Sequence, residues 1–213
     1  NRYAVRPGAS AVVFTNNDAA YEAALDLHDA GAHVAIIDSR EEGAATLADR
    51  AHAKGIPVMT GSIVINAKGN RRVRSVDVVH WDGKADSTLT RSQTMECDLV
   101  AMSGGFSPAV HLHSQSGGRN TWNDEKHCFV PGDNVQKSAS IGSCNGTWSL
   151  ERCLTEGAEA GRVAASQCGF DISVVPVPAT ETVKQNATVA LWRVPAQKDP
   201  DRCPKQFIDF QID

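Results

Sequence analysis

The sequence has no excess of positive charge. Its 21 Lys and Arg stand against 25 Asp and Glu, a formal net charge of −4 over 213 residues. Partners that reward clustered Lys and Arg, nucleic acid and anionic membrane surfaces, are therefore not expected. No apolar run approaches the ~20 residues that a membrane-spanning helix needs. None of the six cysteines, at 97, 128, 144, 153, 168 and 203, forms a CxxC pair, which argues against a zinc ribbon or a thioredoxin-type centre. No signal peptide precedes Asn1, so reduced, inert thiols and a cytoplasmic setting are expected, and the sequons at Asn145 and Asn186 carry no meaning as glycan sites. His111 and His113 alternate and would share a face on a strand, but two ligands without a third make no metal site. No Ser-His-Asp or Cys-His arrangement can be argued from position. No catalytic residue and no metal ligand is predicted.

The apolar pattern that is present has a clear order. Residues 11–14 read as a short buried strand, 15–18 as a polar turn with Asp18 as N-cap, and 19–30 as a helix stopped by Gly31. Residues 33–37 form a second buried strand ending at Asp38. Strand, helix and strand within 30 residues make a βαβ unit with parallel strands. A helix over 43–54 and a strand over 57–59 extend it. The period then changes. Strands at 63–65, 73–81 and 93–95, separated by the turns 68–70 and Asp82-Gly83, read as an antiparallel meander. An apolar strand at 98–102 runs into Ser103-Gly-Gly-Phe-Ser-Pro108, read as a hinge. Residues 111–135 are polar with short apolar pieces such as 128–130. A strand is predicted at 138–141, a turn at 142–146, and a helix over 147–168 with Thr147 as N-cap. From Pro176 onward, five prolines suggest an extended surface segment.

Two places could carry chemistry. The loop Thr15-Asn16-Asn17-Asp18 sits where a dinucleotide-binding βαβ unit would carry GxGxxG, and it has no glycine. Side chains of Asn16 and Asn17 fill the space of a phosphate, and Asp18 adds a negative charge. Asp38 holds the position of an acid that bonds a ribose hydroxyl. This loop is either a divergent nicotinamide-nucleotide site or a Rossmann unit kept for structure with its pocket closed. The second place is Gly142-Ser143-Cys144-Asn145-Gly146-Thr147-Trp148-Ser149, at the start of the long helix. Its glycines permit close backbone approach, and helix N-terminal amides favour an anion. A phosphate or ribose contact is expected here, with a capped core helix as the plain alternative. Gly157, Gly161 and Ala165, at four-residue intervals, predict another backbone packed close against that helix.

The order of these elements resembles the two-domain flavin/nicotinamide reductases. The strings AVVFTNNDAAYEAALDLHDAGAHVAIIDSR, CDLVAMSGGFSPAVHLHSQSGG, CFVPG, GSCNGTWSLERCLTEGAEAG and FIDFQ are similar to the alpha subunit of heterotetrameric sarcosine oxidase, nearly end to end. That resemblance implies a complex that oxidises sarcosine with oxygen to glycine and hydrogen peroxide and passes a one-carbon unit to tetrahydrofolate. It implies NAD held noncovalently by the alpha subunit, FAD and covalent FMN associated with the beta subunit, and gamma and delta subunits as further partners. It assigns cofactor contact to Gly142, Ser143, Asn145, Gly146, Thr147, Trp148 and Ser149, while the weaker candidates Asn16, Asn17, Asp18 and Asp38 rest on the position of their loop alone. Reductases usually end this segment with a Gly-Asp pair whose carboxylate bonds a ribitol hydroxyl. Gly132-Asp133 is such a pair, but lying before the predicted 138–141 strand it reads as a loop and a decoy.

The fold class expected is α/β: a Rossmann-like ββα three-layer domain with a parallel sheet and an antiparallel three-stranded meander, plus the closing segment of a second dinucleotide-binding domain. The predicted divisions are a linker over 1–8, the inserted NAD(P)-binding-type domain over 9–110, the FAD/NAD-binding-type segment over 111–169, and an extended linker over 170–213. An initial Asn1 and a strand-like 207–213 read as cut ends, with further domains expected on either side. Alone, the chain is expected to be inactive, with 120–170 mobile or paired with a neighbouring copy. Two other functions fit: an NAD(P)H-dependent two-domain flavoprotein reductase, with Asp38 choosing NAD, or a non-catalytic subunit-interaction domain with a vacant nucleotide pocket.

Overall fold

The computed structural model describes residue 3, residues 5–84, 92–174, 176–181 and 188–191, and residue 194. The predicted strand at 207–213, the sequon at Asn186 and Cys203 lie outside them. The chain divides into two compact units, Asn1–Gly105 with Gln185–Asp213, and Phe106–Lys184.

In the first unit, β1 (Ser10–Thr15), β2 (His33–Asp38), β3 (Val58–Met59) and β7 (Leu99–Ser103) form a parallel sheet in the order β3-β2-β1-β7. The registers pair Val12 with Ala35 and with Val100. Alternate residues of β1 and β2 face opposite ways, as strand geometry demands. Ala11, Val13, Val34 and Ile36 join Tyr21, Ala24 and Leu25 of α1 (Ala19–Asp29) and Ala51 of α2 (Ala45–Ala53) in one core. Val12, Phe14 and Ile37 point the other way, onto Ile63, Val76, Val78 and Trp81. Those residues lie on or beside the antiparallel sheet β4 (Ser62–Gly69), β5 (Val73–His80) and β6 (Gln93–Glu96). Helices, parallel sheet and meander therefore stack as three layers around two apolar interfaces, which is the Rossmann-like α/β class expected. At the start of β1, the Asp98 carboxylate accepts the Ala9 and Ser10 amides at 2.8–3.0 Å, tying β7 to β1.

The second unit holds α3 (His111–Gln115), the hairpin β8 (Asn120–Asn123) and β9 (Cys128–Pro131), a 3-10 turn at Gly142–Asn145, and α4 (Leu150–Gln167). Several expectations change here. His111 and His113 lie on a helix, so they do not share a face. His113 is buried with Nε2 at 3.2 Å from the Arg119 carbonyl, while His111 is exposed. Residues 138–141 form no strand: a run of Ser-Ala-Ser has little strand propensity and finds no partner among the described residues. The N-cap position of α4 is Ser149 and not Thr147, because the chain stays extended through Ser149 and turns helical only at Leu150; the Ser149 hydroxyl makes no cap bond, and that of Thr147 goes to Glu156. Finally, α4 buries no residue. A Cβ at Gly161 would meet nothing, and one at Gly157 only the tip of Ile141 at 3.9 Å. The small-residue stripe has no backbone against it among the described residues.

Candidate functional site

The β1–α1 loop is closed by its own side chains. Thr15 Oγ1 accepts the Asn17 amide at 3.0 Å and donates to the Asn17 carbonyl. Asn17 Nδ2 reaches Ser103 Oγ at 2.9 Å and the Ser103 carbonyl at 3.1 Å, while its Oδ1 accepts the Ala19 amide. Asp18 is the N-cap residue of α1 as expected, but its side chain makes no cap bond, and the first helical amide is met by Asn17 instead. Both asparagines are buried.

Asp18 and Asp38 are engaged by one cation that the sequence reading passed over. Arg40 donates from Nη1 to Asp18 at 2.7 Å, and from Nε and Nη2 to the two Asp38 oxygens at 3.0 and 2.8 Å. Asp38 also accepts the Arg40 amide and the Tyr21 hydroxyl at 2.8 Å. Asp38 is fully buried, so the carboxylate that would bond a ribose has neither access nor a spare direction. Burial opposes the Arg40 charge, but its hydrogen bonds to Asp38 and Asp18 outweigh that and push its pKa up. The Tyr21 hydroxyl is pushed up by burial and by the Asp38 charge. The signal was present in the sequence, since a cation two residues past Asp38 can fold back on it.

The turn before α4 is built differently. Gly142 and Gly146 stand at φ +64° and +69°, where other residues are strained. At Gly146 a Cβ would lie 3.1–3.3 Å from Lys126 and Val130 atoms. The turn is fastened from below by Glu156, one turn and a half into α4. Its carboxylate accepts the Gly142 amide at 2.8 Å and the Thr147 hydroxyl at 2.7 Å. These two bonds hold the Glu156 carboxyl below its usual range. Lys126 Nζ donates to the Asn145 carbonyl at 3.3 Å, and Trp148 packs on Phe106 with ring centroids 5.6 Å apart. Ser143 is exposed, Asn145 and Ser149 are half-buried, and Thr147 is buried. Glu156 is the residue sequence reasoning missed; its position gave no signal before the helix start was fixed.

A folded value below the ordinary carboxylate range stabilises the turn above about pH 4.5, and that contribution is lost as pH falls through the lowered value. Glu156→Gln should remove this pH dependence and cost about 1 kcal/mol at neutral pH, since the group is only half-buried. Trp148 fluorescence followed against acid reads both; an unchanged acid transition in the variant would reject the assignment.

Gly132-Asp133 directly follows a strand. The strand in front of this pair is β9, ending at Pro131, and no strand follows it before the turn at 142. The reason for treating the pair as a decoy is gone. Strand, Gly-Asp, connecting loop, glycine turn and helix follow in one order, with the Asp133 side chain exposed. Among the described residues no group of three or more His, Cys, Asp or Glu could hold a metal ion, and no helix is long and apolar enough to cross a membrane. Cys97 and Cys128 are buried, and burial pushes both thiols up.

No protein-family model matches the chain. Among curated proteins it is similar along its whole length to sarcosine oxidase subunit alpha of Corynebacterium sp. strain P-1, at 35% identity, and of strain U-96, at 36%. The same subunit of Rhizobium meliloti strain 1021 is 33% identical. The chain spans 20–22% of the length of these relatives. Among solved structures it resembles 6-hydroxypseudooxynicotine amine oxidase of Pseudomonas geniculata N1, with TM-score 0.51, 18% identity, and 71% of this chain and 21% of that one covered. It also resembles the ferredoxin reductase for the CYP199A2 system of Rhodopseudomonas palustris, with TM-score 0.50, 18% identity, and coverage of 80% and 44%. These two likenesses are of fold. The resemblance read from the sequence strings is borne out.

Proposed function

We propose that this chain, similar from end to end to sarcosine oxidase alpha subunits, serves as the scaffolding and NAD-holding part of such a subunit. The observation that carries the reading is whole-length similarity at 33–36% identity to proteins of that name. In the parent complex, sarcosine is oxidised with oxygen to glycine and hydrogen peroxide, and a one-carbon unit goes to tetrahydrofolate. The amine oxidation, with FAD and FMN, belongs to the beta subunit, and gamma and delta complete the assembly. This chain supplies no catalytic group.

The second unit is the nucleotide side of the scaffold. The Gly142–Asn145 turn and Gly146 bring backbone close to a ligand, with α4 directly behind. NAD, completed by an upstream glycine motif, lies against Gly142, Ser143, Asn145, Gly146, Thr147, Trp148 and Ser149. Asp133 joins them, since it stands after a strand and before the turn, where its carboxylate can accept a ribose hydroxyl. The surface of α4, which exposes Leu150, Val163 and Gly161, supports a partner domain elsewhere in the subunit. Segment 111–169 is then the closing part of that domain and 9–110 the inserted one. The reductase alternative needs an open loop at 15–18 and a free Asp38, and the ion pairs with Arg40 speak against both.

The test uses the full-length subunit in its complex. Dinucleotide released by denaturation is quantified per complex. Gly146→Ala and Asn145→Ala should lower bound NAD at least severalfold, Gly146→Ala through the strain of its left-handed backbone. Asp38→Asn should leave it in place, and the reverse pattern would favour the reductase reading. The 213-residue chain by itself should form no hydrogen peroxide from sarcosine above a buffer control.

A further inference from the structure

In an open α/β sheet the ligand crevice lies outside the carboxyl ends of the strands, where the strand order reverses. In the first unit that point falls between β1 and β7, because β2 and β3 continue on one side of β1 and β7 lies on the other. The residue at the mouth of this crevice is Asn16, directly after β1. It is 6% exposed.

Its bonds are all to the chain itself. Asn16 Nδ2 donates to the Gly104 carbonyl at 3.2 Å, where the chain leaves β7. The same nitrogen donates to the Val189 carbonyl at 2.8 Å, where the chain has come back to this unit after the second one. Asn16 Oδ1 accepts Asn17 Nδ2 at 3.0 Å, so the amide orientation is fixed by partners on both ends. Beside this bond, Thr188 Cγ2 lies 3.7 Å from the point where a Cβ on Gly105 would stand. Leu191 and Val194 then pack against the second core, with Phe14, Ile37 and Trp81. One end of the returning segment is held at a main-chain carbonyl by the Asn16 side chain and the other by apolar contacts, as a peptide ligand is held in a groove.

We propose that Asn16 is a clasp that binds the outgoing and returning crossings of the chain, and that the crevice takes this segment of its own chain in the place a dinucleotide would occupy. The residue type follows from the role. The two acceptors are carbonyls, which need a donor, and a neutral side chain with two N–H groups on one atom serves both. An aspartate of the same shape would face two carbonyl oxygens with a negative charge. A glycine, the residue of a phosphate-binding loop, would bind neither. The inference concerns only the first unit and does not depend on where NAD is held.

Limited proteolysis of the whole chain tests it. Thermolysin cuts on the amino side of apolar residues, so cleavage between Ala190 and Leu191 requires the segment to leave its groove. Mass spectrometry follows that bond. With reclosing fast against cutting, the rate reports the open fraction. In the wild type the bond should be cut more slowly than in the urea-unfolded chain. Asn16→Asp should speed cleavage about tenfold or more, the scale of losing one hydrogen bond and gaining a repulsion. Asn16→Ala should have a smaller effect of the same sign, and Val194→Asn, which frees the apolar end, should act alike with Asn16 intact. Circular dichroism confirms that each variant is folded. Cleavage of the wild type as fast as the unfolded chain, or a rate unmoved by Asn16→Asp whatever Val194→Asn does, would overturn the proposal.

Discussion

Arg40→Met should destabilise the first unit by about 3–5 kcal/mol in urea unfolding, the cost of leaving buried carboxylates without their cation. The side chain of Arg40 is 4% exposed and that of Asp38 is not exposed at all, so water cannot take over the lost bonds. Removing the arginine strands Asp38, with Asp18 beside it at 12% exposure. The loss therefore exceeds what the pair contributes, because the penalty is an unpaired buried charge. Asp38→Asn in the Arg40→Met background should recover part of it. Arg50 with Glu22 provides the contrast. Both are more than half exposed, and Arg50→Met should cost less than about 1 kcal/mol. Equal effects of Arg40→Met and Arg50→Met would show that the network is not desolvated as described. The network also ties the strand end at Asp38 to α1 through Tyr21, on the side where a nucleotide-binding unit would stay open.

Ile36→Ala should cost about 2–5 kcal/mol, a lost buried side chain plus the cavity it leaves. Ile36 has no exposed surface and sits in β2, the strand between β1 and β3, against the helices. Leu150→Ala, in the first turn of α4, should change stability by no more than about 0.5 kcal/mol, because Leu150 is 63% exposed. Thermal unfolding of the two variants separates a core that is finished within this chain from a helix that is not. A large loss from Leu150→Ala would mean that α4 packs more fully than its exposure indicates. In the full-length subunit the proposed function predicts a larger cost for Leu150→Ala, since α4 would there be covered.

Much of the first unit was legible because its signals are local and redundant. The strands at 11–14 and 33–37 carry apolar runs, unbroken from Ala11 to Phe14 and from Val34 to Ile37, Gly31 and Gly55 mark the two helix ends, and the change to alternating residues after Met59 announces the meander. The second unit was harder. Its strands β8 and β9 have only four residues each, α3 has five, and polar residues fill the gaps. Periodicity cannot be read over so few positions, so the sequence predicts a strand at 138–141, where none forms, and shows β9 only as a short apolar piece at 128–130. The setting of Gly132-Asp133 depends on the same point, since the strand that precedes it is β9.

By its own pattern the sequence determined the α/β class, the parallel βαβ unit and meander, the absence of a phosphate-binding glycine loop at 15–18, and the likeness to sarcosine oxidase alpha subunits. The first three rest on residue types at short spacing, where side-chain direction is fixed by the backbone, and the last is a resemblance carried by whole residue strings. Only the tertiary structure decided what the polar residues do. Asp38 stands where a ribose ligand would, but Arg40 and Tyr21 occupy its carboxylate; Glu156 reaches Gly142 and Thr147; and Asn16, in a loop filled by its own side chains, meets Val189 from 173 residues away. A carboxylate or an amide at one position fits many partners, and distant chain segments select among them only when the fold brings them within hydrogen-bond reach.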